Sequence, residues 1–284
     1  MPAIAIVTDT DSSLPADVAA RFGIRQVPIG VHFGQETLKA VVDIDDASLF
    51  ARVDRENELP TTSAPSPGEF QQAYVAAFDA GADAIVCICV SSEVSGVYAA
   101  ATSARKLMAE RDISVIDSQS ISMGEGIMVL EAAEAALQGV SKEEVIRRAI
   151  AAGERVRLYA ALPTLKYLAM SGRVGRLAAG VADLLSVKPV LTLRDGKLDL
   201  LERVRTLRKA WSRVIELTAA ALGGHAAERM YVLHVNALQE AQEFAMELRA
   251  SVSCPDDIPI VELTPGLSVH SGSGMVGVVV LVPD

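Results

Sequence analysis

The stretch A-I-V-C-I-C-V-S-S-E-V-S-G, Ala84 to Gly96, decides the fold. Residues 84–90 form an unbroken apolar run, too short for a buried helix and bounded by a hydroxyl-rich turn. That is the signature of a strand buried on both faces. The following residues, 97–110, read as a helix. The same order recurs on either side. Residues 4–7 form an apolar strand that runs into T-D-T-D-S-S-L-P and a helix near 15–22. Residues 113–116 form another, followed by D-S-Q-S-I-S at 117–122 and a helix over 126–138. Strands this apolar, alternating with helices, predict an α/β fold whose parallel sheet is covered by helices on both faces. In such sheets ligands bind beyond the carboxyl ends of the strands. The hydroxyl clusters at 8–13, 91–95 and 117–122 should therefore share one edge.

A second stretch, L-P-T-T-S-A-P-S-P-G-E-F at 59–70, fits this scheme. Ser66 with Glu69 has the form of a capping box, and Pro67 suits the first helical position. Just upstream, Thr61, Thr62 and Ser63 lie on a predicted loop between Pro60 and Pro65. Hydroxyls beside free helix N–H groups favour an anion without needing a lysine. A capped surface helix after a proline-rich turn would read the same way, and it is the recurrence that points to function. Asp9 and Asp11 lack a third metal ligand at suitable spacing, so residues 9–13 read as a loop that bonds to backbone and caps a helix. Short strands are expected over 24–33 and 36–44 around Gly34, and a short helix over 45–52. Ser141 and Glu144 form a second capping-box pattern.

The second half reads differently. Residues 158–170 are apolar and predict a helix, broken by S-G-R-V-G-R-L at 171–177. Residues 187–192 and 198–205 flank Asp195-Gly196 as a β-hairpin. Helices over 207–222 and 238–250 alternate with strands over 230–235 and 258–263. A glycine-rich turn over 266–277 leads into a final strand at 278–282. The expected organisation is an N-terminal α/β domain over 1–158 and a second, smaller α/β domain over 159–284.

Composition bounds the function. The chain has 284 residues, half of them hydrophobic but only 4% aromatic, so no platform for stacking nucleic-acid bases is visible. A net charge of −10 argues against nucleic acid and against electrostatic holding to an anionic membrane. No apolar run approaches the ~18–20 residues of a membrane span, and the N-terminus lacks a signal peptide's basic flank. A cytoplasmic protein without stable membrane insertion is expected. Cys87 and Cys89 share one face of an apolar strand and have no further ligands nearby, so with Cys254 they read as thiols rather than a metal site. G-S-G-M-V-G at 272–277 opens the terminal strand instead of a helix, so it is no dinucleotide fingerprint. The Walker pattern and the G-x-S-x-G nucleophile elbow are both missing. His270, in L-S-V-H-S-G-S-G, is open to two readings: a loop histidine bonded to backbone, or a group that donates to an anion. Arg173 and Arg176 fit either surface pairing or a carboxylate clamp.

Seven stretches in order carry a resemblance over essentially the whole chain. They are I-V-T-D-T-D-S-S-L-P, T-S-A-P-S-P-G-E-F, S-S-E-V-S-G-V-Y, V-I-D-S-Q-S-I-S-M-G-E-G, S-G-R-V-G-R, S-V-K-P-V-L with D-G-K, and H-S-G-S-G-M-V-G. Together they are similar to the DegV family, which includes the fatty-acid-binding subunit of bacterial fatty acid kinase. The resemblance implies a carrier without catalysis of its own, needing neither metal nor cofactor. It would bury one long-chain fatty acid between its two domains and present the carboxylate to an ATP-dependent fatty acid kinase. Carried over position by position, it implies carboxylate contacts from Thr62, Ser63, Ser95, Gly96, Arg173, His270 and Ser271. This sequence departs from the family pattern at Ala64, where Gln is common, at Val97, where Thr is common, and at Ser271 and Ser273, which replace Thr and Pro. Burying a sixteen-carbon tail at ~0.8 kcal/mol per methylene is worth on the order of 11 kcal/mol before ordering costs. The tail would therefore dominate affinity and the head-group donors would offset desolvation. Two alternatives are an esterase using Ser95 with His270 as base, and a regulatory lipid-sensing protein.

Overall fold

The structure, a computed structural model, describes residues 3–173 and 187–284. The chain begins with β1 (Ile4–Asp9), α1 (Ala16–Arg21), β2 (Arg25–Val27), β3 (Gly30–Phe33) and β4 (Glu36–Lys39). It continues through α2 (Asp46–Glu56), β5 (Thr61–Ser63), α3 (Pro67–Asp79), β6 (Ala84–Cys89), α4 (Val97–Leu107), β7 (Ile113–Asp117) and α5 (Met123–Leu137). After α6 (Lys142–Arg155) come β8 (Val156–Ala161), α7 (Lys166–Met170), β9 (Lys188–Arg194), β10 (Lys197–Val204) and α8 (Leu207–Leu222). The last elements are β11 (Arg229–His234), α9 (Leu238–Ser251), β12 (Ile260–Glu262), α10 (Pro265–Ser271) and β13 (Val276–Leu281). Two compact units result. Residues 1–43 and 62–154 form the first, and residues 44–61 and 155–284 form the second.

The first unit holds a four-stranded sheet in the order β2-β1-β6-β7, and every pairing in it is parallel. Every residue of β6 is buried, as expected for a strand covered on both faces. The sheet is flanked by α3, α4 and α5. Ser66 caps α3 with the reciprocal Glu69 contact, and Pro67 opens the helix. Residues 61–63 are not the loop expected from the flanking prolines. They form β5, which extends a small sheet in the order β4-β3-β5.

The second unit is built on a six-stranded mixed sheet, β10-β9-β8-β13-β11-β12. The Asp195-Gly196 turn joins β9 to β10, and both residues have positive φ, 53° and 73°, as a type I′ hairpin turn requires. Two expectations fail here. Residues 156–161 form a strand rather than the start of a helix, and only Lys166–Met170 is helical. A short apolar run has no period that separates strand from helix, and Pro163 divides the stretch in two. The turn expected over 266–277 contains the helix α10, opened by Pro265 in its first turn.

Candidate functional site

The carboxyl ends of β1, β6 and β7 meet at one edge of the parallel sheet, where backbone and side-chain bonds knit three polar clusters together. Asp9 accepts from the backbone N–H of Val90 at 2.9 Å through Oδ2, and from that of Asp11 at 2.9 Å through Oδ1. It thereby caps a short 3-10 turn over Thr10–Ser12. Ser91 N donates to Ser120 O, and Ser122 N donates to Asp11 O. Asp117 accepts from the Ser92 hydroxyl and N–H at 2.6 and 3.1 Å. Beneath this edge Thr8 donates to Glu125 at 2.8 Å, and both residues are fully buried. Burial, and then the neighbouring Asp9 charge, push the Glu125 carboxyl well above its usual range, while burial raises Asp9 to about 6. The deepest part of the edge is thus an acid pair spent on the scaffold.

Four of the seven sequence-predicted residues lie together in this unit. Thr62 and Ser63 are on β5, where Thr62 is half-buried and Ser63 is an exposed residue. Ser95 is half-buried in the turn after β6, its N–H bonded to Ser91 O at 3.1 Å. Gly96 is the N-cap of α4 and brings no side chain to the first-turn N–H groups. A Cβ at Gly96 would lie 3.6 Å from the Ala64 Cβ, so the 62–64 segment and the 95–96 turn touch. The combination of outward hydroxyls and a helix start without a side-chain cap suits an anion.

The other three residues are in the second unit. His270 lies in the last turn of α10. Burial, and then the charge of Arg173, hold its imidazole down to about 4, so it is neutral at pH 7. Of this pair, Arg173 supplies the positive charge and His270 a neutral donor or acceptor. The Arg173 guanidinium also donates to Ser171 O at 2.6 Å. Ser271 turns its hydroxyl back to Leu267 O at 3.3 Å, along its own helix. Gly272 follows at φ 78°, and a Cβ there would lie 2.2 Å from the Tyr167 ring. Arg176 lies outside the described residues.

Two residues that the sequence reading passed over are wired to these. His32 bonds Ser63 Oγ through Nε2 at 2.8 Å and Thr37 Oγ1 through Nδ1 at 2.9 Å. Asp46, at the start of α2, meets Ser268 Oγ at 2.5 Å, two residues before His270. Burial, opposed by that bond and helped by the charges of Glu262 and Asp45, lifts Asp46 to about 8. Among the described residues no group of three or more His, Cys, Asp or Glu side chains could hold a metal ion. No helix of the described residues is long and apolar enough to cross a membrane.

Taken separately, the parallel α/β unit gathers hydroxyls at its sheet edge, and the mixed-sheet unit carries a neutral histidine beside an arginine; donors of both kinds suit a small anionic group. The chain belongs to the DegV family: the family model described as "Uncharacterised protein, DegV family" matches residues 3–282. A DegV domain-containing protein of Streptomyces coelicolor is 35% identical over 98% of this chain and 98% of its own. The fold is that of a fatty-acid-binding DegV family protein from Thermus thermophilus, which is 30% identical with a TM-score of 0.92 over 100% of both chains. DegV of Bacillus subtilis, a fatty acid binding protein, is 29% identical with a TM-score of 0.90, again over 100% of both chains.

Proposed function

We propose that this protein binds one long-chain fatty acid and presents its carboxylate to a separate ATP-dependent kinase that forms the acyl phosphate. The residues that receive the carboxylate are Thr62, Ser63, Ser95, Gly96, Arg173, His270 and Ser271. The observation that carries the reading is the full-length likeness, at 30% identity, to a DegV protein of Thermus thermophilus that binds fatty acid. The local chemistry supports it. A carboxylate leaving water needs several donors, since an unpaired buried charge costs several kcal/mol. Hydroxyls, first-turn N–H groups and one guanidinium supply them. A neutral His270 adds a donor without a second positive charge, which suits a single carboxylate better than a phosphate dianion.

Extraction of the purified protein followed by lipid analysis, with native mass spectrometry of the intact protein, tests the binding. One co-purifying fatty acid per chain is expected. A ligand-free protein that also fails to take up added palmitate or oleate overturns the reading. Presentation is tested separately by adding ATP and a fatty acid kinase subunit to the loaded protein and measuring acyl phosphate.

A further inference from the structure

We infer that Thr37, His32 and Ser63 form a hydrogen-bond relay that fixes the direction of the Ser63 hydroxyl, making His32 a positioning residue for the bound anion. The inference rests on the reading that Ser63 meets a carboxylate.

The geometry comes from three strands. His32 on β3 places Nε2 2.8 Å from Ser63 Oγ on β5 and Nδ1 2.9 Å from Thr37 Oγ1 on β4. Thr37 and His32 are cross-strand partners in the β3–β4 hairpin, so strand pairing holds the ring from one side. Gly30, two residues before His32 on the same face, lines the other side. A Cβ at Gly30 would fall 2.7 Å from Ser63 Oγ and 3.3 Å from His32 Nε2. The missing side chain is what lets the hydroxyl and the ring meet.

Only some proton arrangements are compatible with an anion at Ser63. A hydroxyl has one hydrogen. If Ser63 gave it to Nε2, only its lone pairs would face the carboxylate, and the contact would be repulsive. If Nε2 carries the hydrogen, it donates to Ser63 Oγ, and the Ser63 hydrogen is directed at the ligand. Nδ1 is then the acceptor, and Thr37, which can both donate and accept, supplies its hydrogen there. The chain of donors runs Thr37 to His32 to Ser63 to the carboxylate, each bond polarising the next. The group on the far ring nitrogen also separates this relay from a nucleophile triad. Thr37 is a neutral hydroxyl where a triad places a carboxylate, so Nδ1 lacks the charged partner that in a triad stabilises the imidazolium formed on proton abstraction. The relay orients Ser63 and leaves it unactivated.

Nitrogen-15 NMR of the wild-type protein loaded with palmitate reads the tautomer directly. Nε2 protonated and Nδ1 bare is expected, and the reverse tautomer overturns the inference. Binding supplies the second arm. His32→Ala and Thr37→Val, checked for folding by circular dichroism, should weaken palmitate by roughly ten- to 150-fold, the ratio expected when one hydrogen bond to a charged group is lost. Binding of the corresponding alcohol, hexadecanol, should change by less than about twofold, because it has no charge to lose. His32→Gln, which can still donate to Ser63, should recover most of the palmitate affinity. Equal losses for acid and alcohol would make His32 a purely structural residue and overturn the inference. If wild type binds neither lipid, it is the fatty-acid reading that falls.

Discussion

Asp9 shows how a single buried side chain organises the site's scaffold. Its two oxygens accept from two backbone N–H groups on different segments, Val90 and Asp11. Asn would turn an amide hydrogen against one of them, leaving a buried N–H unsatisfied. Asp9→Asn is expected to cost about 1–3 kcal/mol in urea unfolding. Glu125→Gln should cost less, because Glu125 holds its proton and an amide can replace the acid as donor. At the ligand end the expected effect differs. Under the proposed function, Ser95→Ala or Thr62→Ala would remove a head-group donor while leaving tail burial intact. Acyl-phosphate formation with the kinase should therefore fall more than lipid binding does, and equal losses in the two assays would argue against this division. In the sequence Ser95 stood out within a hydroxyl cluster after a strand, and Thr62 on a proline-flanked segment before a capped helix. His32 did not, because its contact with Ser63 spans 31 positions and depends on strand pairing.

Among the elements, those with one unambiguous signal were read correctly. The fully apolar β6, the Ser66 capping box and the Asp195-Gly196 hairpin each have a local cause that acts within a few residues. β8 and α10 were misread because their causes are not local. The Val156–Ala161 strand is defined by its neighbours, β9 and β13, and its own apolar run fits either period. In α10 the glycines suggested a turn, whereas Pro265 in the first turn and Gly272 just past the end are the ordinary marks of a short helix. Gly272 makes that ending testable. At φ 78°, with Tyr167 where a Cβ would lie, Gly272→Ala combines backbone strain with a clash. It should lower stability by about 2 kcal/mol or more, read as a fall in Tm. The same change at Gly34, φ 55° with open space around it, should cost only the strain of a residue in that conformation, about 1 kcal/mol.

For the whole molecule, buried acids set the response to pH. Asp9 and Asp46 titrate at about 6 and about 8 in the folded protein, against about 4 for an unfolded chain. The folded state holds these protons more tightly, so stability falls as pH rises from about 4 towards 8, by at most ~1.4 kcal/mol per unit for each group. Urea unfolding at pH 5 and pH 8 should show the higher midpoint at pH 5, and Asp46→Asn should reduce the difference. A midpoint that rises with pH would contradict the buried-acid account. The two-unit organisation carries one more consequence. The bond from Asp46 to Ser268 joins residues 222 positions apart, and α2 is grouped with a unit whose other residues begin at 155. On the ribosome, α2 emerges long before the helix it docks against exists. That unit can close only once α10 has been made, and cutting the chain before Pro265 would strand an early helix as surely as it would remove a late one.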